Sequence, residues 1–175
     1  MNAKSRRTKT ETEGPRGTRT AAARLSSFLA KYEPDIAAVA KKARAKLRAR
    51  LAGAVELVYD NYNALVIGFG PNERAADAIF SLVLYPRWVS LFFLQGATLA
   101  DPRRLLRGTG VRVRHMVLQS ADDLDEPAVQ DLIGRALMEA RTPLAETAPR
   151  RLIIKSVSTR QRPRRPKPTS GRRRK

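Results

Sequence analysis

The sequence predicts an α+β fold, in which a mainly antiparallel sheet of about five strands packs against N-terminal and C-terminal helices and disordered basic tails flank the domain. Two observations support this prediction. Strand-like segments follow one another in a run instead of alternating with helices, which favours antiparallel pairing. Eight of the ten Phe, Tyr and Trp residues lie between Tyr59 and Phe93, so the core is central in this chain of 175 residues.

The first elements are two helices. Apolar residues spaced i, i+3, i+4 and i+7 predict a short amphipathic helix; they are Leu25, Phe28, Leu29 and Tyr32. Pro34 suits the first turn of a second helix, whose apolar period continues to a stop at Gly53. The other face of that helix is basic and carries Lys41, Lys42, Arg44, Lys46, Arg48 and Arg50.

Five segments rich in branched and aromatic residues predict the strands: 55–60, 64–70, 77–85, 88–95 and 111–119. The link Pro86-Arg87 predicts a hairpin, and residues 59–64 predict a second tight turn. One or two helical turns are expected at 101–106. A last helix is expected over 126–141, with Asp123 or Asp125 as its cap.

The positive charge is concentrated at the two ends of the chain. The formal net charge is +19, of which residues 142–175 supply +11 and residues 25–141 only +3. We therefore predict four segments: a disordered basic arm at 1–22, an α+β domain at 23–142, a connector at 143–155 with a candidate docked extended segment, and a disordered Arg/Pro-rich basic tail at 156–175.

Composition excludes several classes of function. The chain has no cysteine and one histidine, His115, which excludes disulfides, thiolate zinc sites and multi-histidine metal sites. No apolar run approaches the ~20 residues that a membrane helix needs, and the amino end is polar, so a cytoplasmic location is expected. No partner for nucleophilic catalysis can be placed near His115, and no cofactor or metal is predicted; a non-enzymatic role is favoured.

Two local groups are candidate ligand sites. A polar and aromatic group, with His115 on a face shared with Val113 and Val117, predicts a small-molecule pocket; its residues are Tyr59, Asp60, Asn61, Tyr62, Asn63, Trp88 and His115. The alternative is a hairpin turn with packed aromatics. An acidic cluster could hold a hard cation, or could cap the last helix; it contains Asp122, Asp123, Asp125 and Glu126.

The C-terminal tail is the strongest physical signal. Nine basic groups and no acid lie in its last sixteen residues; they are Arg160, Arg162, Arg164, Arg165, Lys167, Arg172, Arg173, Arg174 and Lys175. Such a segment can neutralise phosphates of DNA or RNA, and without aromatics its sequence preference should be slight. A solubilising tail, or one that binds acidic lipids, is the alternative.

Three stretches carry a resemblance to a known family: ELVYDNYNALVIGFGP, VSLFFLQGATLADPRRLLRGTG and VRVRHMVLQSADDLDEPAVQDLIGRALMEA. Together they resemble the YdhG-like family, the domain of unknown function 1801, over roughly residues 25–141. The resemblance implies a compact α+β domain and no established reaction. It also implies an alternative, because one branch of the family is linked to frataxin-like iron delivery.

The sequence thus favours a YdhG-like, non-enzymatic binding module whose basic tails contact nucleic acid non-specifically. The alternatives are a frataxin-like iron-binding carrier and a small-ligand-binding protein with a pocket near Asp60 and His115.

Overall fold

The structure, a computed structural model, describes residues 16–166, and the side chains from residue 21 onward. In chain order the elements are α1 Arg16–Leu29, α2 Pro34–Arg50, β1 Val55–Asp60, β2 Leu65–Gly70, β3 Phe80–Leu84, β4 Val89–Phe93, β5 Arg114–Leu118, α3 Pro127–Met138 and β6 Arg151–Val157. Two short 3₁₀ helices, Ala75–Asp77 and Ala121–Asp125, precede β3 and α3.

The six strands form one mixed sheet in the order β5-β4-β3-β2-β1-β6. Neighbouring strands are antiparallel except β6, which pairs in parallel with β1. The α+β class is therefore confirmed, and the prediction of a mainly antiparallel sheet of five strands is corrected to a mixed sheet of six. The sixth strand lies mostly in the segment that the sequence assigned to a connector.

The three helices pack on one face of the sheet, here called the inner face. Five residues that are paired in register across strands β1 to β5 identify this face, because their apolar side chains are buried in the same core as those of the helices. They are Val58, Ile67, Leu82, Leu91 and Met116. The helices contribute Leu29, Leu47 and Ile133 to that core, among others. Side chains alternate along a strand, so the residues directly before and after each inner-face residue point to the opposite face, here called the outer face.

Both predicted hairpins are confirmed. β1 and β2 pair around a turn in which the Asn61 amide donates to the Ala64 carbonyl at 3.0 Å. β3 and β4 pair around Pro86-Arg87, and the Tyr85 amide donates to the Trp88 carbonyl at 2.9 Å. The predicted stop of the second helix is also confirmed, since α2 ends at Arg50 and Gly53 has a positive φ of 72°.

Residues 101–106 are not helical, contrary to the sequence-based expectation. The Asp101 carboxylate accepts hydrogen bonds from the backbone amides of Leu105 and Leu106, at 3.0 and 2.7 Å. Arg104 adopts a positive φ of 53°, which interrupts any helical path. The aspartate thus organises a loop through its side chain, as Asx residues commonly do.

The last helix is shorter than expected, and neither Asp123 nor Asp125 caps it, since its N-cap residue is Glu126, which makes no side-chain cap hydrogen bond. Ser120 and Asp123 form a capping box on the 3₁₀ helix that precedes α3, while Asp125 makes ion pairs. At the other end of the chain, α1 begins at Arg16, inside the arm that was predicted to be disordered. The rest of that predicted arm, residues 1–15, lies outside the described residues.

Candidate nucleic-acid interface

The described part of the C-terminal segment lies against the folded domain. The Arg164 side chain, 4% exposed, donates from Nη2 to Oδ1 of the fully buried Asp60 at 2.9 Å. Arg165 donates to the backbone carbonyls of Tyr32 and Ala30, at 3.2 and 3.3 Å. The predicted tail boundary at residue 156 falls inside β6, and residues 156–166 are corrected from free tail to docked segment because these contacts hold them.

The nine predicted phosphate-binding residues therefore separate into groups. Arg164 is buried in an ion pair, so it cannot contact a phosphate. Arg160 and Arg162 are exposed, and the backbone amide of Arg162 donates to the Tyr62 carbonyl at 2.9 Å. Arg165 is exposed but bonded to the carbonyls above. The other five lie outside the described residues: Lys167, Arg172, Arg173, Arg174 and Lys175.

Asp60 faces charged side chains of its own chain. Lys31 donates to Oδ2 at 2.7 Å, opposite the bond from Arg164. Burial would raise the pKa of Asp60, but the hydrogen bonds from Lys31 and Arg164 outweigh it and hold that pKa below its ordinary value. Lys31 and Arg164 thus bond both carboxylate oxygens of Asp60, so the carboxylate is already paired where the small ligand was predicted.

The neighbouring Tyr32 closes the same corner. Its hydroxyl donates to the Leu84 carbonyl at 3.0 Å and accepts from the Leu65 amide at 2.9 Å. Burial raises the pKa of Tyr32 to about 12. The Arg164 guanidinium lies 5.7 Å from the centre of the Tyr32 ring, a cation–π distance. These contacts tie α1, the sheet and the C-terminal segment together.

The predicted pocket residues do not come together. Three strands separate His115 on β5 from Asp60 on β1, which corresponds to about 19 Å. His115 lies on the outer face and stacks on Phe92, with ring centres 4.9 Å apart. The face that it shares with Val117 is opposite to the helices, because the buried residues of β5 are its neighbours in the alternation, Met116 and Leu118.

The other predicted pocket residues lie in separate places. Asn61, Tyr62 and Asn63 form the exposed β1–β2 turn. Tyr59 is half-buried on the outer face, where burial raises its pKa. Trp88 stacks on Tyr85 at the β3–β4 turn, with ring centres 4.9 Å apart.

Most of the basic face of α2 is neutralised. Arg44 and Arg48 both pair with Glu56, which is 4% exposed and points from β1 towards the helices. Lys46 and Arg50 pair with Asp125, and Lys46 also pairs with Asp122. Within residues 21–166, Lys41 and Lys42 are the α2 cations that are exposed and make no ion pair.

The acidic cluster is occupied by the same contacts. The hydrogen bonds from Lys46 and Arg50 hold the pKa of Asp125 below its ordinary value. Asp123 accepts hydrogen bonds from the backbone amides of Gln119 and Ser120. Among residues 21–166, no group of three or more His, Asp or Glu side chains is arranged to hold a metal ion.

This pairing leaves unneutralised charge in a different part of the domain, which we call the arginine loop and define as residues 101–114. It contains five arginines, none of which forms an ion pair with another described residue: Arg103, Arg104, Arg107, Arg112 and Arg114. Its one acid, Asp101, bonds to backbone amides instead. Sequence analysis missed this loop because the domain as a whole is nearly neutral.

A cavity of about 470 Å³ lies at the end of the sheet beside the C-terminus of α3. Its lining is mixed: Ile79, Phe93, Leu99, Ala136 and Ala140 are apolar, Arg74, Arg112 and Arg141 are basic, and Asp77 and Glu139 are acidic. This volume is within the range of small-ligand sites. No sequence signal indicates the cavity, because its lining comes from four segments that are distant along the chain.

Comparisons with family models, with curated proteins and with solved structures gave no match for this chain. The resemblance to the YdhG-like family therefore stays a prediction from the sequence. None of the described helices combines the length and the apolar character that are needed to cross a lipid bilayer.

Proposed function

We propose that this protein is a non-enzymatic binding module that contacts nucleic acid non-specifically through basic residues. The observation that carries the proposal is the surplus of positive charge that the chain does not neutralise. The net charge is +19, and exposed arginines such as Arg160, Arg162 and Arg107 make no ion pair within residues 21–166. Residues 167–175 add five basic groups and no acid.

Counterion release explains why such a surface would bind a polyanion. Each phosphate that a lysine or arginine neutralises frees condensed counterions, so binding weakens as salt rises. Contact with about six phosphates of duplex DNA would give a slope of log K against log salt near −5. Arginine is well suited to this role, because its guanidinium donates two parallel hydrogen bonds to a phosphate.

The test is a salt series with duplex DNA and with RNA, on the full chain and on a chain that ends at Pro166. The shorter chain removes five basic groups but keeps the docked residues 158–166. We expect weaker binding at every salt concentration and a shallower slope for the shorter chain. Absence of binding by the full chain at about 50 mM salt, or binding that salt does not weaken, would overturn the proposal.

Small-ligand binding is a second candidate function, which the 470 Å³ cavity favours. The apolar lining residues suit an aromatic body, and the three arginines outnumber the two acids of the lining, which favours a ligand with an acidic group. Anilinonaphthalene sulfonate has both features and fluoresces when bound. We expect Ala140→Trp, which fills the cavity, to abolish a saturable signal that Met138→Trp retains, because Met138 is exposed at the end of α3, two positions before Ala140, and does not line the cavity. Equal signals from both variants would contradict this assignment.

A further inference from the structure

The arginine loop is fixed to the edge of the sheet beside β5. Arg107 and His115 form an antiparallel bridge in which each amide donates to the other's carbonyl, at 2.7 and 3.0 Å. Residues directly opposite in such a bridge project to the same face. Arg107 therefore projects to the outer face, next to His115.

Two aromatic pairs lie on this outer face. Phe92 stacks on His115 at an interplanar angle of 21°, and Tyr85 stacks on Trp88 at 28°. Trp88 and Phe92 have the same side-chain direction, since they are four positions apart on the β4 side of the hairpin, a distance of about 14 Å. Trp88 is 43% exposed, so one pair is directly accessible to a ligand.

The chemistry of the surface restricts its partner. Unneutralised arginines require an anionic partner, and exposed aromatic rings favour one that carries flat π-systems. A single-stranded nucleic acid has both, in its phosphates and its unstacked bases. A duplex hides the faces of its bases, while an acidic lipid surface or an acidic peptide would use the charge and leave the aromatic pairs without a role.

We propose that the outer face of the sheet beside the arginine loop binds single-stranded nucleic acid, with Trp88 and Phe92 stacking on bases and Arg107 contacting a phosphate. The inference shares its class of partner with the proposed function, and therefore rests on it. The site is separate from the C-terminal segment, which lies at the opposite edge of the sheet along β1 and β6. The outer-face site adds a preference for single strands that a basic tail alone would not give.

The single tryptophan of the chain, Trp88, is a built-in reporter. The probe is a twelve-nucleotide oligouridine, added to the chain that ends at Pro166 so that residues 167–175 cannot contribute. We expect quenching of Trp88 fluorescence by oligouridine, and little quenching by a duplex of equal length or by polyphosphate. An oligodeoxyuridine of equal length, tested in parallel, shows whether the sugar matters. Quenching that polyphosphate reproduces would overturn the proposal, since it would report charge alone.

Two sets of substitutions locate the binding site. Trp88→Ala and Phe92→Leu should each weaken oligouridine binding about tenfold, the usual cost of losing one stacked base. The anisotropy of a labelled oligouridine measures this binding, because Trp88→Ala removes the fluorescent reporter. Tyr62→Ala is the matched control, because Tyr62 is 52% exposed but lies in the β1–β2 turn, away from the aromatic pairs. Replacing Arg107 by alanine should weaken binding more than replacing Lys41, which removes the same charge from α2.

The outcomes separate the two proposals. If salt-dependent binding of the full chain persists while Trp88→Ala and Phe92→Leu bind oligouridine as tightly as the native chain, this inference is wrong and the proposed function stands. If the full chain binds no nucleic acid at low salt, both are wrong. Trp88→Phe keeps a ring at this position and should retain most of the affinity, which excludes misfolding as the cause of a loss.

Discussion

At the scale of single residues, Arg164 and Asp60 form an ion pair in which both partners are almost fully buried, 104 positions apart in the chain. Removing one partner of such a pair leaves an uncompensated buried charge, which typically costs about 3–5 kcal/mol. We expect Asp60→Asn to lower the free energy of unfolding by an amount in this range. Urea unfolding measures it, and Asp35→Asn on the exposed start of α2 is the control, with an expected effect below about 0.5 kcal/mol.

The same aspartate should make stability depend on pH. Its pKa in the folded protein lies below the value of about 3.9 that it has in an unfolded chain. Such a group contributes stability above the unfolded pKa, and this contribution is lost as the pH falls through the folded pKa. We expect the stability gap between the native chain and Asp60→Asn to be full at pH 6 and to narrow below about pH 4 in urea titrations. A gap that widens as the pH falls would contradict the prediction.

The sequence gives no sign that Arg164 differs from its neighbours. It stands in a run of arginines and prolines, and composition treats all of them as one solvated tail. Sequence analysis treated its partner, Asp60, as a polar residue of the turn that follows β1, and Asp60 is the last residue of that strand. Their pairing depends on the path of the chain from β6 back past the β1–β2 turn, and local patterns do not record that path.

At the scale of elements, two glycines should respond in opposite directions to replacement by alanine. Gly53 has a φ of +72°, and a Cβ atom there would lie 1.8 Å from the Ala145 carbonyl oxygen. Gly134 is in the middle of α3, where a Cβ atom would meet nothing within 4 Å. We expect Gly53→Ala to lower the thermal midpoint by several degrees, and Gly134→Ala to stabilise by up to about 1 kcal/mol. Equal melting temperatures for the two variants would show that the local geometry described for Gly53 is wrong.

Elements with a strong local signal could be predicted from the sequence. The apolar period and Pro34 indicated α2, and the two short turns indicated both hairpins. The fold differs from the sequence-based prediction where a side chain interaction outweighs the local sequence pattern. Asp101 is an example, because it bonds to the backbone where a helical turn was expected. β6 was recognised as a strand-like segment, but its partner and direction follow from the whole topology.

At the scale of the whole molecule, the docked C-terminal segment should behave as part of the folded domain. A chain that ends at Val157 loses the contacts of Arg164 and Arg165, whereas a chain that ends at Pro166 keeps them. We expect the first truncation to lower the free energy of unfolding by about 3–5 kcal/mol, as for loss of a buried charge partner. The second should match the full chain within about 0.5 kcal/mol in urea unfolding.

Net charge by segment proved a poor guide to where free charge lies in the folded domain. Residues 25–141 are nearly neutral in sum, yet their carboxylates are not distributed evenly among the lysines and arginines of the domain. Glu56 and Asp125 are paired with α2, so the arginine loop has no acidic partner among the described residues. Only the three-dimensional arrangement assigns each carboxylate to a cation, which is why the sequence-based prediction placed the binding charge mainly in the tails.

The parallel pairing of β6 with β1 also determines when the sheet can be completed during synthesis. Val55 pairs with Arg151, so β1 leaves the ribosome long before its outer neighbour exists. Until then β1 is an edge strand with unpaired backbone groups, which can pair with another chain. A nascent or prematurely terminated chain that stops before residue 151 is therefore exposed to self-association.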